Sequence, residues 1–159
     1  MQSTAVYRTP QSWLALAVFL LVVIGVGALI GTQSVPGEWY DGLTKPPLNP
    51  PDAVFAPVWF TLYVLIAIAG WRVWVEAPRS PAMMLWGAQI LLNWAWSPTF
   101  FVAEQPWPAF AIIAAMWLAI LGFILAVRRR DPLAAWLFAP YLAWVGFAAY
   151  LNIGIAILN

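Results

Sequence analysis

Five long apolar runs divide the chain, at 12–31, 53–74, 81–103, 107–127 and 132–158. Each is near the ~20 residues that a helix needs to cross the hydrocarbon core of a bilayer. Each is apolar on all faces rather than along one stripe, the pattern of a helix surrounded by lipid and by other apolar helices. The breaks between them are short and polar: RVWVEAPRSP over 72–81, EQP over 104–106 and RRRDP over 128–132. One break differs. Over 32–52 the chain carries EWYDGLTKPPLNPP, with Pro46, Pro47, Pro50 and Pro51 close together. Long loops in compact domains are usually functional or disordered, and each proline fixes φ near −65°, so a stiff, ordered segment is expected. The predicted fold is an all-α integral membrane protein, a single domain over 1–159. It is a bundle of five transmembrane helices with a Pro-rich outer loop, 32–52, between helices 1 and 2. The first run is too long for a signal-peptide core and lacks a clear cleavage site, so it is read as a retained helix.

Charge sets the expected orientation. With five spans, Arg8, Arg72, Arg79, Arg128, Arg129 and Arg130 share the side of the N-terminus, and only Lys45 falls on the other. Basic residues stay on the cytoplasmic side, so the N-terminus is predicted inside, the C-terminus outside and the long loop on the outer face. The short chain and the lack of transit-peptide character lean toward a bacterial envelope.

Composition narrows the chemistry. Of 159 residues, 64% are hydrophobic and 8% charged, with a mean hydropathy of +0.84. A soluble surface needs about a quarter of its residues charged. A net charge of +1 gives no general affinity for nucleic acid, and the absence of Cys and His removes thiolate and imidazole metal ligands and the commonest general base. No metal site, catalytic residue or cofactor is predicted. No Asp, Glu, Lys or Arg lies mid-span, which disfavours a proton relay. No phosphate-binding glycine loop is present, which disfavours ATP drive.

The polar residues inside the spans are therefore informative. Gln89 and Asn93 are four apart on one face of the third helix, and Trp96 and Phe100 extend that stripe. Asn152 lies late in the fifth, beside Trp144, Ala148 and Leu151. These amides either hold helices together or point into a cavity and contact a ligand. Twelve tryptophans raise the same question. Trp13, Trp74, Trp107 and Trp136 fall near span ends, as in interfacial belts. Trp59, Trp96, Trp117 and Trp144 lie deeper, where flat rings can stack on a planar guest, and Trp59 with Tyr63 gives the second helix an aromatic face. Gly27 and Gly31 form a G-x-x-x-G pair able to seat a helix or a second subunit. In the loop, Trp39 and Tyr40 can pack on the bundle or on a guest. Lys45 can meet a ligand carboxylate or pair with Glu38 or Asp41.

The strings WYDGLTKPPLNPP, VFAPVWFTLY, QILLNWAWSPTFF and PYLAWVGFAAYLN, in that order, resemble the tryptophan-rich sensory protein/translocator protein family, which includes the mitochondrial peripheral-type benzodiazepine receptor. The resemblance runs from about 37 to 152. It implies a five-helix membrane bundle, usually a homodimer, that binds porphyrins such as protoporphyrin IX, sterols and benzodiazepine-site ligands under the first loop. Carried onto this chain, the pocket residues are Trp59, Asn93, Trp96, Trp107, Trp144, Ala148 and Leu151. The chain departs from the pattern at Leu48 and Ala53, where many members have Trp. No basic residue follows Tyr150, as a proposed cholesterol motif requires. The leading expectation is a receptor, sensor or carrier with porphyrin as ligand rather than cofactor. Passive transport of sterol or another hydrophobic substrate is the alternative, and light-dependent porphyrin degradation ranks third.

Overall fold

The computed structural model describes residues 6–159; positions 1–5 of the expected domain lie outside the described residues. Those residues are helical, with no strand among them. The elements are α1 (Pro10–Gln33), the short loop helix α2 (Glu38–Gly42), α3 (Phe55–Glu76), α4 (Pro81–Ser97), α5 (Pro106–Val127) and α6 (Pro132–Leu158). Four helices are long and apolar enough to cross a membrane: Pro10–Gln33, Asp52–Glu76, Pro106–Val127 and Pro132–Leu158. The run at 81–103 takes a different form. There α4 has 17 residues and passes into a π-helical turn, Pro98–Val102.

The helix starts follow from local chemistry. Thr9, Ser80 and Asp131 sit at N-caps, and their side-chain oxygens accept from the backbone N–H of Ser12, Met83 and Ala134, each at 3.2 Å. Each cap is followed by a proline at the first helical position, where a missing N–H costs nothing. The π turn also has a local cause. Pro98 has no N–H for the carbonyl of Trp94, so the α ladder is interrupted. Ala103 N–H instead donates to Pro98 O at 2.9 Å, and Thr99 Oγ1 donates to Ala95 O at 2.8 Å.

Around the bundle the order is α1, α3, α6, α5, α4 and back to α1. The core lies between α3, α5 and α6, where Phe123, Phe138 and Tyr141 are fully buried and the Phe123 and Phe138 rings sit 4.1 Å apart. By contrast, α1 buries only Ser12, Val23 and Gly27. Indole N–H groups bolt helices together: Trp71 donates to Ser12 O at 2.8 Å, joining α3 to α1, and Trp86 donates to Ile66 O at 2.9 Å, joining α4 to α3. Two glycines make room for rings. Gly27 of α1 lies against Tyr63 of α3, and Gly70 of α3 lies against the Trp86 indole, where any Cβ would collide. The G-x-x-x-G pair thus splits: Gly27 seats a ring of its own chain, while a Cβ on Gly31 would meet nothing within 4 Å.

The arginine-bearing ends of the helices gather. Arg72 makes two bonds to Asp131, Nε to Oδ2 at 2.8 Å and Nη2 to Oδ1 at 3.0 Å, and its guanidinium lies 4.9 Å from the Tyr7 ring centroid. Tyr7 in turn donates to Glu76. Asp131 therefore caps α6 and ties it to α3 through the one ion pair among the described residues. Trp13, Trp74, Trp107 and Trp136 are 46–74% exposed near helix ends, facing outward.

Because the Gly70–Trp86 contact leaves no room for a methyl, Gly70→Ala should destabilise the bundle by about 1–3 kcal/mol, as overpacking does. The check is the thermal midpoint in detergent, which should fall. An unchanged midpoint would mean that the Trp86 indole repacks freely and the contact carries no weight.

Candidate functional site

A cavity of about 270 Å³ lies at the end of the bundle remote from Arg72 and Asp131, between α1, α3, α4 and α6. Its floor is polar and fully paired. Asn93 of α4 accepts from Tyr63 OH of α3 at 3.1 Å and donates to Tyr141 OH of α6 at 3.0 Å. Tyr141 OH in turn contacts Met116 Sδ of α5 at 3.4 Å. One amide thus ties three helices together, and α5 follows through the sulfur. Four residues along the same face of α4, Gln89 is fully buried with neither side-chain atom bonded.

The walls are aromatic. Trp59 and Tyr63, one turn apart on α3, place their rings 5.6 Å apart. Phe55 enters one turn before Trp59, because residues four apart share a face. Trp96 of α4 faces them, and its indole N–H donates to Asn152 Oδ1 of α6 at 3.0 Å. Asn152 Nδ2 donates to Pro106 O at 2.8 Å, so Asn152 ties α4 and α5 to α6 from behind the cavity wall. The π turn adds Phe101. Without its extra residue, an α-helical count would turn that ring away from the Asn93–Trp96 face.

The loop covers this end. Tyr40 of α2 is 5% exposed, lines the cavity and packs on Phe100 and Phe101 with ring centroids at 6.3 and 5.4 Å. Burial, then the nearby Asp52 carboxylate, pushes its phenol above the ordinary tyrosine value. Further along, the loop is seated on α6. Tyr150 OH donates to Pro47 O at 2.9 Å, while the Asn159 side chain accepts from Thr44 N–H at 2.9 Å and donates to Thr44 O at 3.1 Å. Pro46 rests on Gly154, where a Cβ would stand 2.8 Å from the proline ring. Leu48, in a left-handed conformation with φ of 67°, holds the turn between the proline pairs.

Of the residues singled out from the sequence, the structure brings Trp59, Tyr63, Asn93, Trp96 and Ala148 together around the cavity. It places the others elsewhere. Trp39 packs edge-on against Phe100 at 5.8 Å, and Lys45 Nζ lies 4.5 Å over the Tyr40 ring rather than with Glu38 or Asp41. Trp107 is 57% exposed at the start of α5. Trp144 stands behind Phe55, with ring centroids 5.8 Å apart, and lines a separate outward groove. Leu151 is buried in the packing of α6. Tyr40, expected beside Trp39 to pack on the bundle or a guest, does line the cavity; sequence reasoning missed Phe55, Phe101 and three polar positions, Ser34, Asp52 and Ser97. Helical spacing from Trp59 would have found Phe55; nothing in the sequence alone signals the register shift that brings in Phe101.

The TspO/MBR family model matches residues 15–158. The chain is 38% identical over 144 residues to a translocator protein of Ovis aries, covering 86% of this chain and 85% of that protein. It is 37% identical over 145 residues to a tryptophan-rich sensory protein of Cereibacter sphaeroides, covering 91% and 92%. Over 147 residues it is 33% identical to protein CrtK of Rhodobacter capsulatus, covering 90% and 91%.

The seat of the loop is testable without a ligand. Gly154→Val places a branched side chain where Pro46 rests, so it should lift the loop while leaving the helices folded. Amide exchange over 38–49 should accelerate and that in α5 should not. Unchanged exchange would show that the Pro46–Gly154 contact does not hold the loop down.

Proposed function

The chain belongs to the TspO/MBR family of membrane proteins, and on that premise we propose that it is a membrane receptor, sensor or carrier for porphyrins and other flat hydrophobic ligands. The observation that carries this reading is the aromatic cavity between the helices, walled by Phe55, Trp59, Trp96 and Phe101 and roofed by Tyr40. Flat apolar faces favour a flat apolar guest. At about 270 Å³ the cavity is at the small end of ligand pockets, which run ~300–1,000 Å³. A tetrapyrrole is larger, so its full entry requires the loop to lift from α6. With no His or Cys in the chain, an iron porphyrin finds no strong axial ligand. Metal-free protoporphyrin should therefore bind at least as well as haem.

The same reading takes α4 with its π turn as a fifth crossing, placing the arginine-rich end in the cytoplasm and the loop outside, in a bacterial envelope, with the protein a homodimer. Reporter fusions at the two termini should then give opposite signals; matching signals would mean an even number of crossings. A groove of about 620 Å³ on the lipid-facing side of α3 and α6, lined by Pro57, Thr61, Pro140, Trp144 and Phe147, favours a second reading, passive carriage of a sterol or another hydrophobic substrate. The Arg72–Asp131 pair that ties α3 to α6 at the other end weighs against passage straight through the bundle. Flux into sealed vesicles separates the two.

Protoporphyrin IX binding should quench tryptophan fluorescence. Trp59→Ala or Trp96→Ala should weaken it by ~1–3 kcal/mol, the range for losing one stacking partner of a nucleobase. Trp107→Ala, at an exposed position, should change it little. Normal binding by both cavity variants would move the site elsewhere.

A further inference from the structure

The loop end of the cavity holds two polar groups that the bundle does not use. Ser34, at the C-terminal cap of α1, is 5% exposed, and its hydroxyl is buried with no hydrogen-bond partner, although it lines the cavity. A buried hydroxyl left unpaired is costly, whereas buried Asn93 and the partly buried Trp96 indole of the same wall are bonded within the protein. Asp52, exposed at the mouth of the same cavity, has no cationic partner, the one ion pair among the described residues being at the opposite end. Its field is felt at the roof, where it adds to the burial that raises the Tyr40 phenol.

The charges around this end agree in sign. Glu38, Asp41, Asp52 and Glu104 lie here against Lys45 alone, and Lys45 sits 4.5 Å from the Tyr40 ring centroid and does not line the cavity. Every arginine of the described residues belongs to the other end. A cleft with low-dielectric walls focuses the field of the charges at its mouth, so a ligand carboxylate brought to this end meets a like charge in the lining, while the one base lies beside the Tyr40 ring and outside the lining. An N–H donor or ammonium nitrogen meets a carboxylate and an unoccupied hydroxyl acceptor.

We propose that Ser34 and Asp52 set the charge selectivity of the cavity, which takes flat ring systems carrying an amine or N–H donor in preference to those that bring a carboxylate to the loop end. This rests on the reading of the cavity as the ligand site and adds its orientation rule. A dicarboxylic tetrapyrrole must turn its acidic edge away from Asp52. A small cationic aromatic is accepted as it stands, and its size suits the cavity with the loop seated.

The test uses two probes with one ring system and opposite charge, 2-naphthylmethylamine and 2-naphthoate, titrated calorimetrically into the full chain in an uncharged detergent. The amine should bind about 10-fold or more tighter, a ratio worth ~1.4 kcal/mol. Asp52→Asn should collapse that ratio to about 2-fold or less. Ser34→Val should weaken the amine about 3- to 10-fold, the cost of one hydrogen bond, and leave the naphthoate nearly unchanged. Ser34→Ala gives the same comparison without added bulk. Equal affinities in the unmodified protein, a ratio that survives Asp52→Asn, or an amine that does not bind would each overturn the proposal. If the amine fails while protoporphyrin IX still quenches the tryptophans, the orientation rule falls and the ligand site stands. If both fail, both fall.

Discussion

Helices in a bilayer gain little by hiding leucine from lipid, since the lipid tail is as apolar as the leucine. What they can do is pair polar groups that hydrocarbon will not accept unpaired. This protein is organised by that constraint. Asn93 is the centre: one side chain bonded to the phenols of Tyr63 and Tyr141 fixes α4 against α3 and α6 at a single depth. The indoles of Trp86 and Trp96 tie the same two pairs of helices at other depths, and that of Trp71 ties α3 to α1. These bonds set the spacing that the aromatic rings then line, and the cavity is the room left over. The pairing is not complete: Gln89, one turn along α4, is buried and unbonded, as are the Ser34 hydroxyl and the indole N–H groups of Trp94 and Trp144.

Tryptophan accordingly has three uses in this chain. At the helix ends it faces outward, as Trp13 and Trp136 do. At Trp71 and Trp86 the ring is buried and the N–H acts as a bolt. At Trp96 one side of the indole is bonded to Asn152 while the ring faces the cavity, so a single residue is both frame and wall. Burial, not depth, separates the first use from the others, since Trp13 and Trp71 stack at one level of the bundle, and only the partner separates the second from the third.

That distinction marks how far the sequence is legible. The helical runs and the breaks between them could be read directly, because apolar length and the Thr-Pro, Ser-Pro and Asp-Pro starts are local signals. Trp59, Tyr63, Asn93 and Trp96 could be placed together because helical spacing puts each pair on one face. Trp144 could not be separated from them: its depth is right, but Phe55 stands between it and the cavity. Lys45 and Ser34 turn on loop geometry, where neither periodicity nor composition has a say. Phe101 turns on a one-residue change of helical register at Pro98. A proline announces that a helix is disturbed, but not the direction in which the next ring will point.

The loop's seat has a consequence for how the molecule is made. Pro47 and Thr44 are held by Tyr150 and Asn159, which lie 103 and 115 residues further along the chain. At ~5–20 residues per second of synthesis, those partners emerge on the order of ten seconds later. Through that interval α1, α3 and α4 have already been made, with Trp59 and Trp96 facing a space that α6 does not yet close. The nascent chain therefore passes through a stage in which the cover of its aromatic cleft has only Phe100 and Phe101 to rest on, and not yet its seat on α6. Any guest present at the membrane during biogenesis meets the protein first in that state.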